Sequence, residues 1–536
     1  MSDRLANHRG LTAIILTVGL IGLSVVLIRT AWLSDDAFIS FRTADNFVHG
    51  YGLRWNVDER VQAYTHPLWL GLFTAAYVVT GEPYYTAIAL GFLLTVLGVT
   101  LTVGRLAATP WNALAYLCLL VSSKAFVDFS TSGLENALTH VLLGLFLWRW
   151  FVEPAGVRRT LRLTLLASMC LLNRLDLMLL LGPVLAVEIW HSDRRAAVPA
   201  VVAGLLPLVA WEVFSLVYYG FLFPNTAYAK LNTGIPESVL FRRGVLYALA
   251  TGLSDPVTMA VVIATPLIVA FTAQPRIFAG AAERYSLAAG AGLYALYITW
   301  VGGDFMIGRF YTPLFVWAAT LLAASSWPRG VGLTVASAAL VLGLMAPDEP
   351  ALLSGYNSTM ELREEAGGKQ RRWWLGEAFD ERRVYYMDTG LLKQRAGHPT
   401  PAHEGAFVGL KWRQAGVTTV TFPTIGFAGY FAGPGVHVID PYALADPVLA
   451  RLPAQRKFRV GHYERHMPEG YPETVSSGVN RISDPGLAAY YDHMRLIVSG
   501  PLWTRARWRA IADELTGREQ DRLRQYVATL PFPAHY

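Results

Sequence analysis

Long apolar runs recur along the chain and stop near Pro347. A helix needs about 20 mostly apolar residues to cross the hydrocarbon core, and runs of this kind begin at roughly 12 places. They start at Leu11, Pro67, Tyr85, Trp111, Leu134, Leu161, Leu177, Val198, Val245, Tyr285, Phe310 and Val331. Continuous runs of this length indicate helices and not the alternating strands of a membrane barrel. The pattern therefore predicts a mostly α-helical, polytopic membrane protein.

Basic residues between the runs predict how these helices are oriented. Arg4 and Arg9 precede the first run, and three further arginines lie at 158–162. Since basic loops stay in the cytoplasm, we expect a cytoplasmic N-terminus. The same alternation places the loops at 34–66, 225–230 and 302–309 outside.

The number of spans depends on a short part of the chain. Three apolar runs lie between His66 and Glu135, where this orientation requires an even number. Either the short run at 111–121 is re-entrant, or the run from Tyr85 is broken in two. We therefore expect about 11 spans.

The pattern changes beyond Pro347, where charge density rises and no run is long enough to span. We expect residues 1–346 to form the transmembrane catalytic domain and residues 347–536 a soluble extracytoplasmic domain. Strand-like runs at Arg383–Met387 and Val417–Phe422 alternate with helical stretches such as Thr504–Ala528. The C-terminal domain is thus predicted to be α/β or α+β.

Composition agrees with a membrane protein and disfavours a nucleic-acid partner. Only 16% of residues are charged, against about 25% in ordinary soluble proteins. The formal net charge is +6, but no basic patch is interleaved with aromatic residues in the way that nucleic-acid-binding surfaces require. The two cysteines, Cys118 and Cys170, lie in apolar stretches and are expected to be buried thiols.

Two adjacent carboxylates follow the first apolar run. Asp35 and Asp36 precede Phe38, Phe41, Phe47 and Val48, whose spacing predicts an amphipathic helix along the membrane surface. Acidic residues in a first helical turn also favour the helix dipole, so a purely structural role stays open. A carboxylate at this place would serve equally well as a general base that takes the proton of an attacking hydroxyl group.

Cationic side chains recur in the predicted external loops. Arg42, His66, Lys230 and Arg309 are candidates for holding the phosphate of a lipid-linked substrate, and Asp304 lies in the same loop as Arg309. Each of them also suits an anchor at the lipid headgroups. Arg174, beside Asp176, and Glu135, in a polar turn before a span, are further candidates for substrate binding or for local pairing and capping.

Motifs for common cofactors are missing from the sequence. It contains no Walker A motif, dinucleotide fingerprint or zinc-ligand spacing. His462 and His466 have the spacing of paired helical ligands but no convincing third ligand. No cofactor is therefore assigned, and assistance by a divalent cation stays open.

Several motifs together resemble a known family. They are Asp35-Asp36-Ala37-Phe38-Ile39, Asn225-Thr226-Ala227-Tyr228-Ala229-Lys230, Gly302-Gly303-Asp304-Phe305 with Arg309, and the C-terminal segments 440–447, 461–465 and 468–471. The chain resembles the GT-C class of polytopic glycosyltransferases and, within it, the mycobacterial terminal β-1,2-arabinofuranosyltransferases.

This resemblance implies an inverting glycosyltransferase. It implies transfer of arabinofuranose from a polyprenyl-phosphate donor to a cell-envelope glycan, with Asp35 or Asp36 as base. It also implies that Arg309, with His66 and Lys230, binds the donor phosphate. Two alternatives are a transporter or flippase of lipid-linked sugars and a non-catalytic envelope scaffold. Transporters usually show internal repeats and midplane charges, and the sequence shows neither.

Overall fold

The computed structural model describes residues 2–231, 233–271, 280–347, 350–354, 374–375, 378–455 and 459–530. These residues are mostly helical, and the strands among them are short. The chain forms two compact units, each built from separate stretches of sequence. Unit 1 comprises Met1–Ser34, Tyr84–Leu208 and Leu240–Gln394. Unit 2 comprises Asp35–Pro83, Val209–Val239 and Arg395–Tyr536.

This division differs from the contiguous domains 1–346 and 347–536 that the sequence predicts. Two segments from the predicted membrane domain, Asp35–Pro83 and Val209–Val239, belong to unit 2, and the described residues between 347 and 394 belong to unit 1. The reason is that side chains from these early segments are buried together with side chains from the C-terminal part of the chain. Ile39 and Trp55 lie in one hydrophobic cluster with Val438, and Ala229 lies in another with Leu449.

Unit 1 is a set of apolar helices. Its helices are α1 (Ser2–Thr30), α4 (Pro83–Leu106), α5 (Pro110–Ser122), α6 (Lys124–Ser130), α7 (Asn136–Val152), α8 (Val157–Asn173), α9 (Leu177–His191), the first part of α10 (Arg194–Tyr218), α12 (Glu237–Ser254), α13 (Pro256–Phe271), α14 (Ala281–Trp300), α15 (Thr312–Ala324), α16 (Arg329–Leu344) and α17 (Glu381–Thr389). The strands β1 (Trp374–Leu375) and β2 (Ala378–Phe379) pair antiparallel in the same unit. A 3₁₀ turn, Arg309–Tyr311, precedes α15.

Two helix pairs of unit 1 are sharply bent. Helices α5 and α6 meet at 74°, and α12 and α13 meet at 115°. The extended conformation of Ser123 ends α5, and its hydroxyl group caps α6 by accepting a hydrogen bond from the amide of Phe126. The first bend lies in the stretch where the sequence predicts a broken or re-entrant segment. The second was not predicted, because the run beginning at Val245 reads as a single helix.

The described helices differ in their fitness to span a membrane. Three are long and apolar enough by themselves, and five segments qualify if each bent pair is taken as one span. Shorter apolar helices of 10–17 residues account for other predicted runs. The structure thus has the apolar helices of a multi-pass membrane protein, and the count of about 11 spans stays a prediction.

Glycines bring the helices of unit 1 into close contact. A Cβ at Gly290 of α14 would collide with the carbonyl of Leu180 in α9, and one at Gly332 of α16 would press on Trp111 in α5. Small residues let helix backbones approach in this way, which strengthens van der Waals packing where lipid offers no hydrophobic driving force.

Unit 2 combines short helices with one parallel strand pair. The pair β3 (Thr419–Thr421) and β4 (His437–Ile439) aligns Val420 with Val438. The helices are α2 (Asp35–Val48), α3 (Pro67–Thr80), α11 (Asn225–Leu231), α18 (Glu404–Gln414), α19 (Ile425–Ala432), α20 (Tyr471–Ser477), α21 (Pro485–Ser499), α22 (Arg505–Leu515) and α23 (Gln520–Thr529), with the end of α10.

The strand and helix predictions after Pro347 are confirmed in part. The run at Val417–Phe422 contains β3, and Thr504–Ala528 becomes α22 and α23. The strand predicted at Arg383–Met387 is wrong, because these residues lie in α17. The side chain of Asp380 accepts a hydrogen bond from the amide of Arg383 at 3.0 Å and caps this helix. That cap overrides the strand preference of the valine and tyrosines that follow.

Candidate functional site

Asp35 lies at the start of α2 and is held by a second helix of unit 2. Its Oδ1 accepts a hydrogen bond from the amide of Phe427 at 2.7 Å, and its Oδ2 accepts one from Gly426 at 3.1 Å. Both amides belong to the first turn of α19, whose partial positive charge favours a carboxylate. Gly426 is required for this approach, because a Cβ there would overlap the main chain and the carboxyl carbon of Asp35.

Burial makes Asp35 an unusual carboxyl group. It is 7% exposed, and this desolvation raises its pKa from 3.8 to about 7. The hydrogen bond from Phe427 opposes the rise, and the negative charge of Asp36 adds to it. A carboxyl group that titrates near neutrality is suited to accept and release a proton at physiological pH. Each oxygen accepts one amide and keeps a second lone pair for a substrate hydroxyl group.

Asp36 follows directly in the first turn of α2. It is half-buried, more accessible than Asp35. Its charge lies close enough to Asp35 to contribute to the raised pKa of that group. The structure therefore distinguishes the two carboxylates that the sequence left equivalent.

Arg42 joins α2 to the chain segments around it in unit 2. Its guanidinium donates hydrogen bonds to the carbonyls of Trp55 at 2.8 Å, Gly429 at 2.6 Å and Val436 at 2.7 Å. It also lies 4.2 Å from the centroid of the Trp55 ring. The side chain is 2% exposed, so its hydrogen-bonding capacity is used within the fold.

His66 is attached to the same helix. It precedes α3, and its Nε2 lies 2.8 Å from Oγ of Ser40 on α2. The imidazole is buried. This contact fixes the start of α3 against the helix that carries Asp35.

Lys230 lies in the last turn of α11 and is half-buried. Its charge, after burial and the charge of Arg459, lowers the pKa of His462 well below its usual range. Nη2 of Arg459 lies 2.8 Å from Nε2 of His462. Two cations and a neutral imidazole therefore lie together in unit 2, an arrangement that attracts an anion.

Four other predicted residues form one ionic network in unit 1. Glu135 precedes α7 and accepts a hydrogen bond from Nη1 of Arg174 at 2.9 Å. Arg174 also pairs in a bidentate manner with Asp176, whose Oδ2 lies 3.2 Å from the hydroxyl group of Tyr294. The Arg174 guanidinium is thus fixed between two carboxylates.

Arg309 enters this network through longer contacts. Its Nη2 lies 3.4 Å from Glu135, and its Nη1 lies 3.6 Å from Asp304. Strong charge-assisted hydrogen bonds measure about 2.7–2.9 Å. The guanidinium of Arg309 is therefore held more loosely by its carboxylates than that of Arg174.

The predicted residues thus fall into two groups. Unit 1 joins Glu135, Arg174, Asp304 and Arg309 in the network just described. Unit 2 holds Asp35, Asp36 and Arg42 on α2, His66 before α3 and Lys230 on α11.

Sequence reasoning missed a second buried ionic cluster in unit 1. Lys124 pairs with Asp128 and, at 2.9 Å, with Asp380, while Arg382 pairs with Asp128. The available signal was Lys124 and Asp128, spaced four apart in an apolar region. Their partners lie about 250 positions further along the sequence, which no local pattern indicates. Among the described residues no group of three or more His, Cys, Asp or Glu is placed to hold a metal ion.

The chain is similar in sequence to a known glycosyltransferase over most of its length. The chain is 27% identical to the terminal beta-(1->2)-arabinofuranosyltransferase of Mycobacterium tuberculosis, over 86% of this chain and 84% of that protein. The chain is similar to the terminal β-1,2-arabinofuranosyltransferases. The resemblance inferred from the motifs is confirmed, and with it the prediction of a glycosyltransferase.

Two further proteins resemble the chain. The Corynebacterium glutamicum protein of the same name is 28% identical over 37% of this chain and 33% of its own length. The crystal structure of ArnT from Cupriavidus metallidurans bound to undecaprenyl phosphate superimposes with a TM-score of 0.46 and 14% identity, over 80% of this chain and 86% of that one. No family model matches the chain.

Proposed function

We propose that this protein transfers arabinofuranose from a polyprenyl-phosphate donor to a cell-envelope glycan, with inversion at the anomeric carbon. The observation that carries the proposal is the geometry of Asp35, a buried carboxyl group fixed by two amides with a pKa raised to about 7. The similarity to terminal arabinofuranosyltransferases over most of the chain supports the sugar.

Asp35 acts as the general base in this mechanism. An acceptor hydroxyl group attacks the anomeric carbon, and its proton passes to a carboxylate oxygen of Asp35. The new glycosidic C–O bond forms while the bond from the anomeric carbon to the phosphate oxygen breaks, and polyprenyl phosphate leaves. One base and one displacement invert the anomeric carbon, whereas retention would need a nucleophile and a second displacement. Asp36 raises the proton affinity of Asp35 through its charge.

Arg309 and Lys230 are the proposed ligands of the donor phosphate. A phosphate ester leaves more readily when cations neutralise its developing charge. Arg309 makes contacts of 3.4 Å to Glu135 and 3.6 Å to Asp304 in unit 1, and in the proposed mechanism it exchanges them for phosphate oxygens. Lys230 lies beside a second cation in unit 2. Each assignment rests on the surroundings of that residue alone.

The remaining candidates are proposed as positioning residues. Arg174 orients Glu135, and Asp304 keeps Arg309 in place before donor binds. Arg42 and His66 hold α2 and thereby the carboxyl group of Asp35. We further propose that the reaction takes place on the extracytoplasmic side of the bacterial cell membrane, with the N-terminus in the cytoplasm, as the basic loops between the apolar runs suggest.

The donor is tested with a panel of radiolabelled polyprenyl-phosphate sugars. Purified full-length protein is incubated with an arabinan oligosaccharide and one donor at a time, and the product anomer is assigned by NMR. We expect transfer from the arabinofuranosyl donor with inverted configuration. Transfer from another pentosyl or hexosyl donor only would contradict the assigned sugar, and retained configuration would contradict the single displacement.

A further inference from the structure

A solvent-connected recess in unit 2 lies apart from Asp35. It holds about 80 Å³ of free volume and opens to solvent, less than the about 300–1,000 Å³ of pockets that enclose a whole ligand, so it has room for only one part of a larger ligand. Its polar lining consists of Asp58, Glu59, His437, Asp446, Tyr471, Tyr491 and Arg495. We call these residues and the space between them the unit-2 recess.

One wall of the recess is rigid. The carboxylate of Asp446 accepts hydrogen bonds from the amides of Val448 at 3.0 Å and Leu449 at 2.8 Å. It also accepts one from the hydroxyl group of Tyr471 at 2.8 Å. The rings of Tyr471 and Tyr491 meet edge to face at 5.8 Å. These contacts fix a wall of the recess in which Asp446 and Tyr471 are buried and the ring of Tyr491 is half-buried.

The opposite wall carries linked polar groups. Nδ1 of His437 lies 2.9 Å from a carboxylate oxygen of Asp58, and Nε2 of the same ring lies 3.3 Å from the amide nitrogen of Asn56. That amide nitrogen also donates to Glu59 at 3.2 Å. The side chain of Asp58 is 62% exposed, so it borders the mouth of the recess.

The recess offers both donors and acceptors of hydrogen bonds. Burial raises the pKa of Glu59 to about 8, and the charges of Asp58 and Asp446 add to the rise while His437 opposes it. The raised pKa favours the protonated form of Glu59, which can donate a hydrogen bond, while the exposed carboxylate of Asp58 accepts. Arg495 lines the same space and adds guanidinium donors.

This chemistry selects one class of ligand. The carboxylates of Asp58 and Asp446 disfavour an anion, and the polar lining disfavours a purely apolar molecule. Among the described residues, no group of His, Cys, Asp or Glu here is arranged as a metal site. A neutral molecule with many hydroxyl groups can hydrogen-bond to Asp58 and Arg495 and pack a C–H face on the half-buried ring of Tyr491.

We propose that the unit-2 recess binds a neutral oligosaccharide and serves as an acceptor-glycan subsite. This inference rests on the proposed function for the identity of its ligand as acceptor. The recess is a binding site, and none of its residues is assigned to the chemical step.

Binding without turnover tests the recess independently of catalysis. Full-length protein in detergent is titrated by isothermal calorimetry with arabinan, galactan and glucan oligosaccharides, in the absence of donor. Asp58→Asn and Tyr491→Ala are compared with Asp521→Asn and Tyr51→Ala, which change an exposed aspartate and an exposed tyrosine outside the recess. Thermal unfolding midpoints check that each variant is folded.

We expect wild-type protein to bind at least one neutral oligosaccharide, with Kd weakened at least tenfold in both recess variants and changed less than twofold in both controls. Since Asp58 is exposed, Asp58→Asn is expected to fold and to give a Kd even if Tyr491→Ala does not fold. Unchanged Kd in Asp58→Asn, or no binding of any oligosaccharide, would overturn the inference. Calcium binding that Asp58→Asn abolishes, without oligosaccharide binding, would replace it by a cation site.

The two proposals fail separately in this design. Oligosaccharide binding that depends on the recess, without sugar transfer from any donor, would leave the recess in place and refute the proposed function. Transfer that proceeds with an unchanged acceptor KM in Asp58→Asn would remove the acceptor subsite and leave the proposed function intact.

Discussion

The amide of Phe427 donates a 2.7 Å hydrogen bond to Oδ1 of Asp35, across 392 positions of sequence. The donor belongs to the C-terminal part of the chain, and the acceptor follows the first apolar helix. The proposed base is therefore oriented by the folding of unit 2 as a whole and not by its own helix alone. Loss of this contact is expected to affect both stability and transfer.

Replacing Gly426 with alanine tests this close approach. The added Cβ would overlap Asp35, so α19 must move away and the two amide hydrogen bonds must lengthen. We expect a loss of about 1–3 kcal/mol in unfolding free energy, as overpacking usually causes, together with a clear loss of transfer. Gly435→Ala is the matched control, because a Cβ at Gly435 meets nothing within 4 Å. Equal thermal midpoints and rates in the two variants would show that α19 does not hold Asp35.

The raised pKa of Asp35 predicts how stability depends on pH. The unfolded carboxyl group titrates near 3.8 and the folded one near 7, so the folded state binds more protons between these values. Stability contributed by the protonated group is present below pH 3.8 and is lost as pH rises through 7, by up to about 4 kcal/mol.

Asparagine at position 35 cannot titrate, so Asp35→Asn should remove the part of the pH dependence of stability that Asp35 contributes. Thermal unfolding midpoints of wild type and variant between pH 5 and pH 8 measure it. We expect the wild-type midpoint to fall more steeply than that of Asp35→Asn. Parallel curves would mean that Asp35 is already ionised at pH 5.

Arg42→Lys should destabilise unit 2. A lysine cannot supply the planar set of donors that reaches the carbonyls of Trp55, Gly429 and Val436. The loss should be about 3 kcal/mol, since hydrogen bonds to a charged group are at stake. Arg413→Lys changes an exposed arginine of the same unit and should be neutral. If Arg42→Lys instead raised the KM for the donor and left the thermal unfolding midpoint unchanged, Arg42 would be assigned to the donor phosphate.

Arg309→Gln should weaken donor binding with little effect on folding. Glu135 keeps its 2.9 Å contact to Arg174 in this variant, so its charge stays paired. We expect the KM for the polyprenyl-phosphate donor to rise at least tenfold, with partial recovery in Arg309→Lys. Steady-state kinetics at varied donor concentration measure this effect. An unchanged donor KM would refute the assignment of Arg309 to the phosphate.

The sequence predicted the apolar helices well, because hydrophobic periodicity is a local signal. It predicted the partners of those residues poorly. The valine and tyrosines at 383–387 are residue types that favour a strand. The cap at Asp380, which lies before this run, makes it part of a helix instead. From the sequence, Arg42 is a candidate phosphate ligand. No nearby residue indicates that its guanidinium donates hydrogen bonds to the carbonyls of Gly429 and Val436.

The same limit explains the missed recess and the domain boundary. Asp58 and His437 lie 379 positions apart, and each is unremarkable in its own segment. In the sequence Asp446 is an ordinary turn residue, and nothing near it indicates that the hydroxyl group of Tyr471 donates a hydrogen bond to its carboxylate. Contacts of this range follow from tertiary packing, which joins the early loops of unit 2 to its C-terminal part.

The central claim is that Asp35 is the general base, and the most direct test is the rate of arabinofuranosyl transfer by Asp35→Asn beside Asp36→Asn and wild type. General-base catalysis contributes about 10²–10⁴-fold, so Asp35→Asn should lose at least about 100-fold in kcat/KM while Asp36→Asn retains much more. A rate for Asp35→Asn within tenfold of wild type, with Asp36→Asn inactive, would contradict the account and assign the proton transfer to Asp36.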